Sequence, residues 1–332
     1  MKVSVPDLKK EYEIVNEKGA IARFKDFFEF SGKTLIVTDD AVPLKYKKTV
    51  AEQCITPRFF TLKHGEESKS VENYIEIMKT LLQNDFKRTD TVIALGGGVC
   101  GDIAAFAAST YMRGIKFINI PTTLLAMVDS SVGGKTGIDL LGVKNVIGTF
   151  YMPEKVIIDT DVLDTLPKRE LNAGLSEAVK MAATCDEKFF GLFEEKENPY
   201  DYLTEIVEES NKIKKSIVSA DPYEKGLRRV LNFGHTVGHA IEGVKAGELL
   251  HGECVAIGML YMASGEAKKR IREVLKKLDL PVTTDVSTDT LINYIKHDKK
   301  AESDFVNVVW CDKIGEYEFR RMTYDEISKL KP

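Results

Sequence analysis

The sequence predicts a Rossmann-like α/β N-terminal domain followed by a mainly α-helical C-terminal domain. Three observations predict it. Short apolar runs alternate with helical spacing through the first half. One of those runs leads through Gly96-Gly97-Gly98 directly into a helix start. After Leu163 the texture changes to long helical patterns rich in Glu, Lys, Ala and Leu. Apolar strands separated by helices imply a largely parallel sheet covered on both faces.

In chain order, Leu35-Ile36-Val37-Thr38 is a β-rich run ending at Asp39-Asp40. From Ser70 to Leu82 the apolar residues Val71, Tyr74, Ile75, Met78 and Leu82 share one face of a helix. Thr91 to Leu95, Phe117 to Ile120 and Val156 to Ile158 are further strands, closed by Gly96, Pro121 and Asp159. Lys168 to Leu280 is mostly helical, and Phe305 to Trp310 with Tyr317 to Met322 forms a hairpin around Gly315. The boundary falls near residue 164, giving domains 1–164 and 165–332.

A chain of 332 residues suits two cores rather than one. With 43% hydrophobic and 30% charged residues it has an ordinary globular composition. The formal net charge of -4 lacks the basic footprint of a nucleic-acid binder, although a few local Lys and Arg side chains suffice for one phosphate. The N-terminal segment is polar, without the apolar core of a signal peptide, and no apolar run approaches a membrane span. The five cysteines are scattered and form no C-x-x-C, which argues against disulfides and thiolate zinc. Together these features suggest a cytoplasmic protein.

Three constellations carry chemistry. Gly96, Gly98 and Gly101 satisfy G-x-G-x-x-G between a strand and a helix, where glycines let the backbone approach a pyrophosphate at a helix N-terminus. The next strand ends Asn119-Ile120-Pro121 with no ribose-binding acid, so Asp39, at the end of an earlier strand, is the candidate for that role. Gly65-Glu66-Glu67-Ser68-Lys69 offers further polar contacts, or only a helix start capped by Ser68. Between Pro121 and Phe150, hydroxyls, glycines, Lys135 and Lys144 concentrate in apolar surroundings, which suits an anion and does not match a P-loop. Finally, His235 and His239 lie at i, i+4 on one helix face, His251 follows closely, and Glu177 could add a carboxylate. Two histidines and a carboxylate leave a coordination position open, as catalytic metal sites do. The spacing does not choose which two histidines bind.

The segments GEESK, GGGVCGD, YMRG, IPTTLLAMVDSSVGGKTGI, KNVIGTF, TLPKRE, GLSEAVK, RRVLNFGHTVGHAIE and LLHGECVAIGM, running from about residue 65 to 259, resemble the 3-dehydroquinate synthase family of the sugar phosphate cyclases. The resemblance implies that Glu177, His235 and His251 bind zinc or cobalt. It implies that Asp39, Glu66, Lys69, Gly97, Gly98, Asp102, Thr122, Thr123 and Lys144 hold NAD. Arg113, Lys135, Asn145, Asn232, His239 and a lysine of Asp298-Lys299-Lys300, assigned to Lys300, would surround the substrate phosphate. Asp129, Lys180, Lys214 and Arg228 would meet its carboxylate and hydroxyls. Arg113 would reach the site of a second subunit, which implies a homodimer.

The implied reaction converts 3-deoxy-D-arabino-heptulosonate 7-phosphate to 3-dehydroquinate by transient oxidation, phosphate elimination, reduction and aldol closure. Another sugar-phosphate cyclase and a metal-dependent polyol dehydrogenase are the alternatives. The Lys and Arg set argues against an uncharged polyol. The chain departs from the family pattern in having Asp139 where Asn is usual and Ser176-Glu177-Ala178-Val179-Lys180 where A-E-V-I-K is commoner, and it is trimmed around Ala267 to Pro281.

Overall fold

The computed structural model describes residues 1–5, 10–298 and 305–332. Lys299 and Lys300 lie outside the described residues. The chain divides into two compact units, Met1–Leu166 with Lys214–Tyr223, and Pro167–Ile213 with Glu224–Pro332.

The first unit is built on one sheet. Its strands are β1 (Lys2–Val5), β2 (Lys10–Asn16), β3 (Thr34–Asp39), β4 (Pro57–Leu62), β5 (Thr91–Gly96), β6 (Lys116–Pro121) and β9 (Lys155–Ile158), in the order β1-β2-β9-β6-β5-β3-β4. The pairs β2–β9, β9–β6, β6–β5, β5–β3 and β3–β4 are parallel, and only β1–β2 at the edge is antiparallel. Every residue of β3 and β5 is buried, as expected of strands covered on both faces. Helices α1 (Leu44–Ala51), α2 (Val71–Gln83) and α3 (Gly98–Thr110) connect these strands. Ser70 caps α2 by accepting a hydrogen bond from the Asn73 N–H. Ile103, Ala104 and Ala107 of α3 pack with Leu35, Val37, Leu62, Ile77, Leu81 and Phe86 in one apolar cluster. From β3 the chain steps outward to β4, and from β5 it steps the other way to β6. The reversal lies between the carboxyl ends of β3 and β5, where open parallel sheets bind ligands.

The segment from Pro121 to Phe150, read from the sequence as polar and lysine-rich, forms a π-turn at Ala126–Ser130 and then a hairpin, β7 (Lys135–Leu140) with β8 (Val143–Phe150). Gly133 and Gly134 carry φ values of 106° and 65°, which turn the chain into β7 so that Thr136 and Ile138 face inward.

In the second unit, α4 (Lys168–Cys185) is buried from Asn172 to Thr184. Around it lie α5 (Glu187–Glu195), the Leu203–Ile213 portion of α6 (Leu203–Ala220), α7 (His235–Lys245), α8 (His251–Tyr261), α9 (Gly265–Lys277), α10 (Thr288–Asp298) and α11 (Tyr324–Ser328). A hairpin, β10 (Phe305–Trp310) with β11 (Glu318–Thr323), completes the unit. Helices α7 and α8 approach so closely that a Cβ on Gly258 would stand 2.0 Å from the Gly234 carbonyl oxygen, and one on Gly238 3.1 Å from that of Cys254. No described helix is long and apolar enough to cross a membrane.

Candidate functional site

The glycine turn of the first unit is a cradle that side chains would fill. A Cβ on Gly96 would come within 2.7 Å of the Cys100 Cβ and 3.0 Å of Asp39 Oδ2. One on Gly97 would lie 3.1 Å from the Thr123 methyl, and one on Gly98 3.0 Å from Ser130 Oγ. The turn therefore draws Asp39, Thr123 and Ser130 around the N-terminus of α3. Thr122 joins them by donating its N–H to the Gly96 carbonyl at 2.9 Å. Asp39 is held by the N–H groups of Ala41 and Val42, at 2.9 and 3.2 Å on Oδ1.

Lys69 and Asp102 form an ion pair, Nζ to Oδ2 2.5 Å, with only 5% of the lysine side chain exposed. Burial alone would lower the Lys69 pKa, but the charges of Asp102 and Glu66 outweigh it and raise it, so the ammonium persists. Lys144 lies 3.9 Å from Glu66. The Lys69 carbonyl accepts from the Asp139 N–H at 2.8 Å, and Asp139 Oδ1 accepts from the Asn145 N–H at 2.7 Å. Asp139, the departure from the family pattern, thus ties the Asn145 turn (φ 54°) to Lys69.

Of the remaining predicted residues in this unit, Lys214 donates to both the carbonyl and Oδ1 of Asp129. Lys135 and Asn145 stand exposed on the β7–β8 hairpin. Arg113 is exposed in a turn in which Met112, Arg113 and Gly114 all have positive φ, at 51°, 62° and 120°. Met112 and Arg113 hold positive φ, which non-glycine residues rarely adopt, a cost that Gly114 does not share.

The second unit gathers the histidines. His235 opens α7, His239 follows one turn on, and His251 opens α8. A nitrogen from each lies within 4.8 Å of the others. Gly234 makes this entry possible, because its φ of 78° favours glycine and a Cβ there would stand 2.8 Å from the Met259 nitrogen. From α4, fully buried Glu177 points its Oε1 at the cluster, 3.5 Å from His251 Nε2 and 3.9 Å from His235 Nε2.

Apart from an ion-pair contact with Lys180, 2.5 Å from Oε2, neither Glu177 oxygen has a hydrogen-bond partner among the described residues. Lys180 offsets part of the cost of burying this charge, and a second cation between Oε1 and the imidazoles would offset more. Burial would raise the Glu177 pKa, but the Lys180 charge and the His251 and His235 imidazoles hold it well below the usual carboxylate value. Burial and Lys180 together push His235 well below the ordinary histidine value, so its imidazole is neutral.

His235 Nδ1 faces the Phe233 carbonyl at 3.1 Å and His251 Nδ1 faces Glu242 Oε2 at 3.1 Å. With Nδ1–H donated to those oxygens, each Nε2 is directed at Glu177. Burial lowers the His251 pKa, but the Glu177 and Glu242 carboxylates outweigh it and raise it to about 10, so a cation bound there would take the place of the His251 Nε2 proton. This donor set, two imidazoles and an otherwise unbonded carboxylate, fits a divalent metal with an open position. His239 shares the cluster and is exposed.

Lys180 and Arg228 are buried, and Asn232 donates its amide to Glu224 Oε1 at 2.6 Å. Sequence reasoning missed Glu224 and Glu242. Glu242 had a signal, since it lies two turns beyond His235 on the same helix; Glu224, in a loop before Gly226, had none.

The 3-dehydroquinate synthase N-terminal family matches residues 59–173 and its C-terminal counterpart residues 174–301. A 3-dehydroquinate synthase of Latilactobacillus sakei is 42% identical over 330 residues, covering 95% of this chain and 93% of that one. Among solved structures, 2-epi-5-epi-valiolone synthase from Streptomyces hygroscopicus, with NAD+ and Zn2+ bound, is 27% identical with a TM-score of 0.87, covering 95% of this chain and 94% of that one. A 2-deoxy-scyllo-inosose synthase complexed with carbaglucose-6-phosphate, NAD+ and Co2+ shares the fold, with a TM-score of 0.89, 24% identity and coverage of 99% and 98%. On identity and on coverage of both units, the chain belongs to the 3-dehydroquinate synthase family.

Proposed function

We infer that the chain converts 3-deoxy-D-arabino-heptulosonate 7-phosphate to 3-dehydroquinate and phosphate, as a carbon–oxygen lyase of the shikimate pathway. The observation that carries this reading is the buried Glu177 carboxylate aimed at neutral His235 and at His251, in a chain that this family matches across both units. Glu177, His235 and His251 would hold zinc or cobalt. Asp39, Glu66, Lys69, Gly97, Gly98, Asp102, Thr122, Thr123 and Lys144 would hold NAD. Bound there, NAD would supply a reversible hydride acceptor and the metal a Lewis acid for substrate hydroxyls.

The side chains supply geometry and charge. Lys135, Asn145, Asn232, His239 and Lys300 would fix the phosphate, and their cationic members lower the cost of the charge that gathers on it as it leaves. Asp129 with Lys214, and Lys180 with Arg228, would orient the hydroxyls and carboxylate. With a ketone at C5 the C6 proton is acidic; the substrate's own phosphate would take it as the C7–O bond breaks, leaving a C6–C7 double bond and hydrogen phosphate. The protein then needs no separate base and acts through orientation.

We further propose that the enzyme is a cytoplasmic homodimer in which Arg113 meets the partner's substrate. The exposed, strained Met112-Arg113-Gly114 turn supports the second part, and five free cysteines are compatible with a reducing compartment. The test is metal removal. A chelator should abolish phosphate release from the heptulosonate, zinc or cobalt should restore it, and glycerol with NAD should produce no sustained NADH. Full turnover by metal-free protein would contradict the reading.

A further inference from the structure

His251 and His235 present themselves to Glu177 by different means. The Nδ1–H of His235 meets a backbone carbonyl, that of Phe233. The Nδ1–H of His251 meets a side chain, the Glu242 carboxylate, 3.1 Å away. Glu242 lies near the end of α7, and its side chain is 16% exposed. His251 is the first residue of α8, where a ring has no preceding helical turn to pack against. The start of α8 is itself fastened. Glu253 accepts the Leu250 N–H at 2.7 Å and a bidentate contact from Arg169 of α4, at 2.7 Å to each oxygen. The backbone of His251 is thereby placed, but its ring can still turn about its own side-chain bonds.

We propose that Glu242 is the positioning residue that sets the tautomer and rotation of the His251 ring, and so its strength as a metal ligand. The inference rests on the metal-site reading of Glu177, His235 and His251. A carboxylate opposite Nδ1 excludes the tautomer whose lone pair would face it. The Nδ1 proton is therefore kept whether or not Nε2 also carries one, and a metal bound beside Glu177, 3.5 Å from Nε2, would displace only the Nε2 proton. An anionic acceptor also draws the Nδ1 proton outward and makes Nε2 a better electron donor than a neutral carbonyl would. Of the two histidines, His251 thus carries the charge-assisted contact and His235 the neutral one. Glu242 touches neither substrate nor metal in this scheme and acts only through His251.

The experiment uses the full chain, stripped of metal, with zinc affinity measured by competition against a chromophoric chelator. The wild type, His251→Ala, Glu242→Ala and Glu242→Gln are compared. NAD affinity, read on the other unit, and the melting temperature report folding. Each chain is also loaded with cobalt and its visible absorption recorded.

We expect Glu242→Ala to bind zinc 10- to 100-fold more weakly than the wild type, the range typical of lost outer contacts. Its cobalt spectrum should shift while NAD affinity stays unchanged. Glu242→Gln, which keeps an acceptor for Nδ1–H without the charge, should recover part of the affinity and the wild-type cobalt spectrum. If His251→Ala loses zinc but Glu242→Ala binds it within twofold of the wild type, the role of Glu242 is overturned and the metal site stands. If the wild type binds no zinc, or His251→Ala binds it as the wild type does, the metal-site reading falls and this inference with it.

Discussion

Buried charges in this protein sit beside groups that only a ligand or a partner charge can justify, and Lys69 is the clearest case. Its ammonium is almost wholly buried against Asp102. Removing one member of such a pair strands the other, at a cost of about 3 kcal/mol, whereas replacing both with apolar groups recovers much of it. Lys69→Met should therefore lower stability by about 3 kcal/mol in urea unfolding, and Lys69→Met with Asp102→Leu by clearly less. Equal losses would mean that the pair is not coupled. The sign with pH follows from the raised pKa. The folded state holds this proton more tightly than the unfolded state, so the stabilisation is complete below the ordinary lysine value of 10.5 and is lost as pH rises through the raised one. Burial raises the Asp102 pKa, and without Lys69 its main opposing charge is gone, so the gap between wild type and Lys69→Met should hold at mildly alkaline pH and narrow as the pH falls and the stranded carboxyl takes up a proton. Gly98 makes a separate point. A methyl there would press on Ser130 Oγ at 3.0 Å, inside the cradle, so Gly98→Ala should weaken NAD about tenfold, or about 1.4 kcal/mol, by calorimetry. Unchanged NAD affinity would move the nucleotide away from this turn.

At the scale of elements, the parts written in strong periodicity were legible, while β1, β2, β4 and the β7–β8 hairpin were not. The apolar runs of β3, β5, β6 and β9, the helix at Val71–Gln83 and the late hairpin all follow patterns visible in the sequence, but the packed face of that helix is Ile77 and Leu81 with Val71, Tyr74 and Met78, while Ile75 and Leu82, read as part of it, are exposed. Strand β4 was missed because, at the sheet edge, most of Pro57–Leu62 is exposed or half-buried and shows no clean alternation. Strand β1 was missed because four residues, KVSV, carry too short an alternation to separate from a polar terminus. The candidate site was legible wherever a residue type is chemically unusual, as with His235, His239 and His251. It was not legible where an ordinary Glu gains its role only from folding, as with Glu224 and Glu242. The close crossing of α7 and α8 yields a prediction of its own. Gly258→Ala must force the helices apart, costing about 2 kcal/mol by overpacking. Because those helices carry all three histidines, zinc affinity should fall with stability. A variant that melts earlier but binds zinc as tightly would show that the crossing does not set the cluster.

For the whole molecule, the residues assigned to the reaction fall in both units: Asp129, Lys135, Asn145 and Lys214 in the first, Lys180, Arg228, Asn232 and His239 in the second. The proposal that Arg113 serves a second subunit can be tested by complementation. Arg113→Ala and Lys135→Ala should each be nearly inactive alone. If Arg113 serves the partner's site, refolding the two together at equal amounts creates one intact site in each mixed dimer, and activity should return to about a quarter of the wild type. No recovery, with mixed dimers present, would place Arg113 in its own subunit's site.

The central claim is that NAD is used and restored within each turnover, which separates a cyclising lyase from a dehydrogenase. The most direct measurement supplies heptulosonate phosphate in large excess over NAD, with zinc-loaded enzyme, and follows released phosphate and NADH absorbance together. Many phosphates per NAD, with no lasting NADH, is the result predicted here. Phosphate release that stops at one equivalent per NAD while NADH accumulates would contradict it.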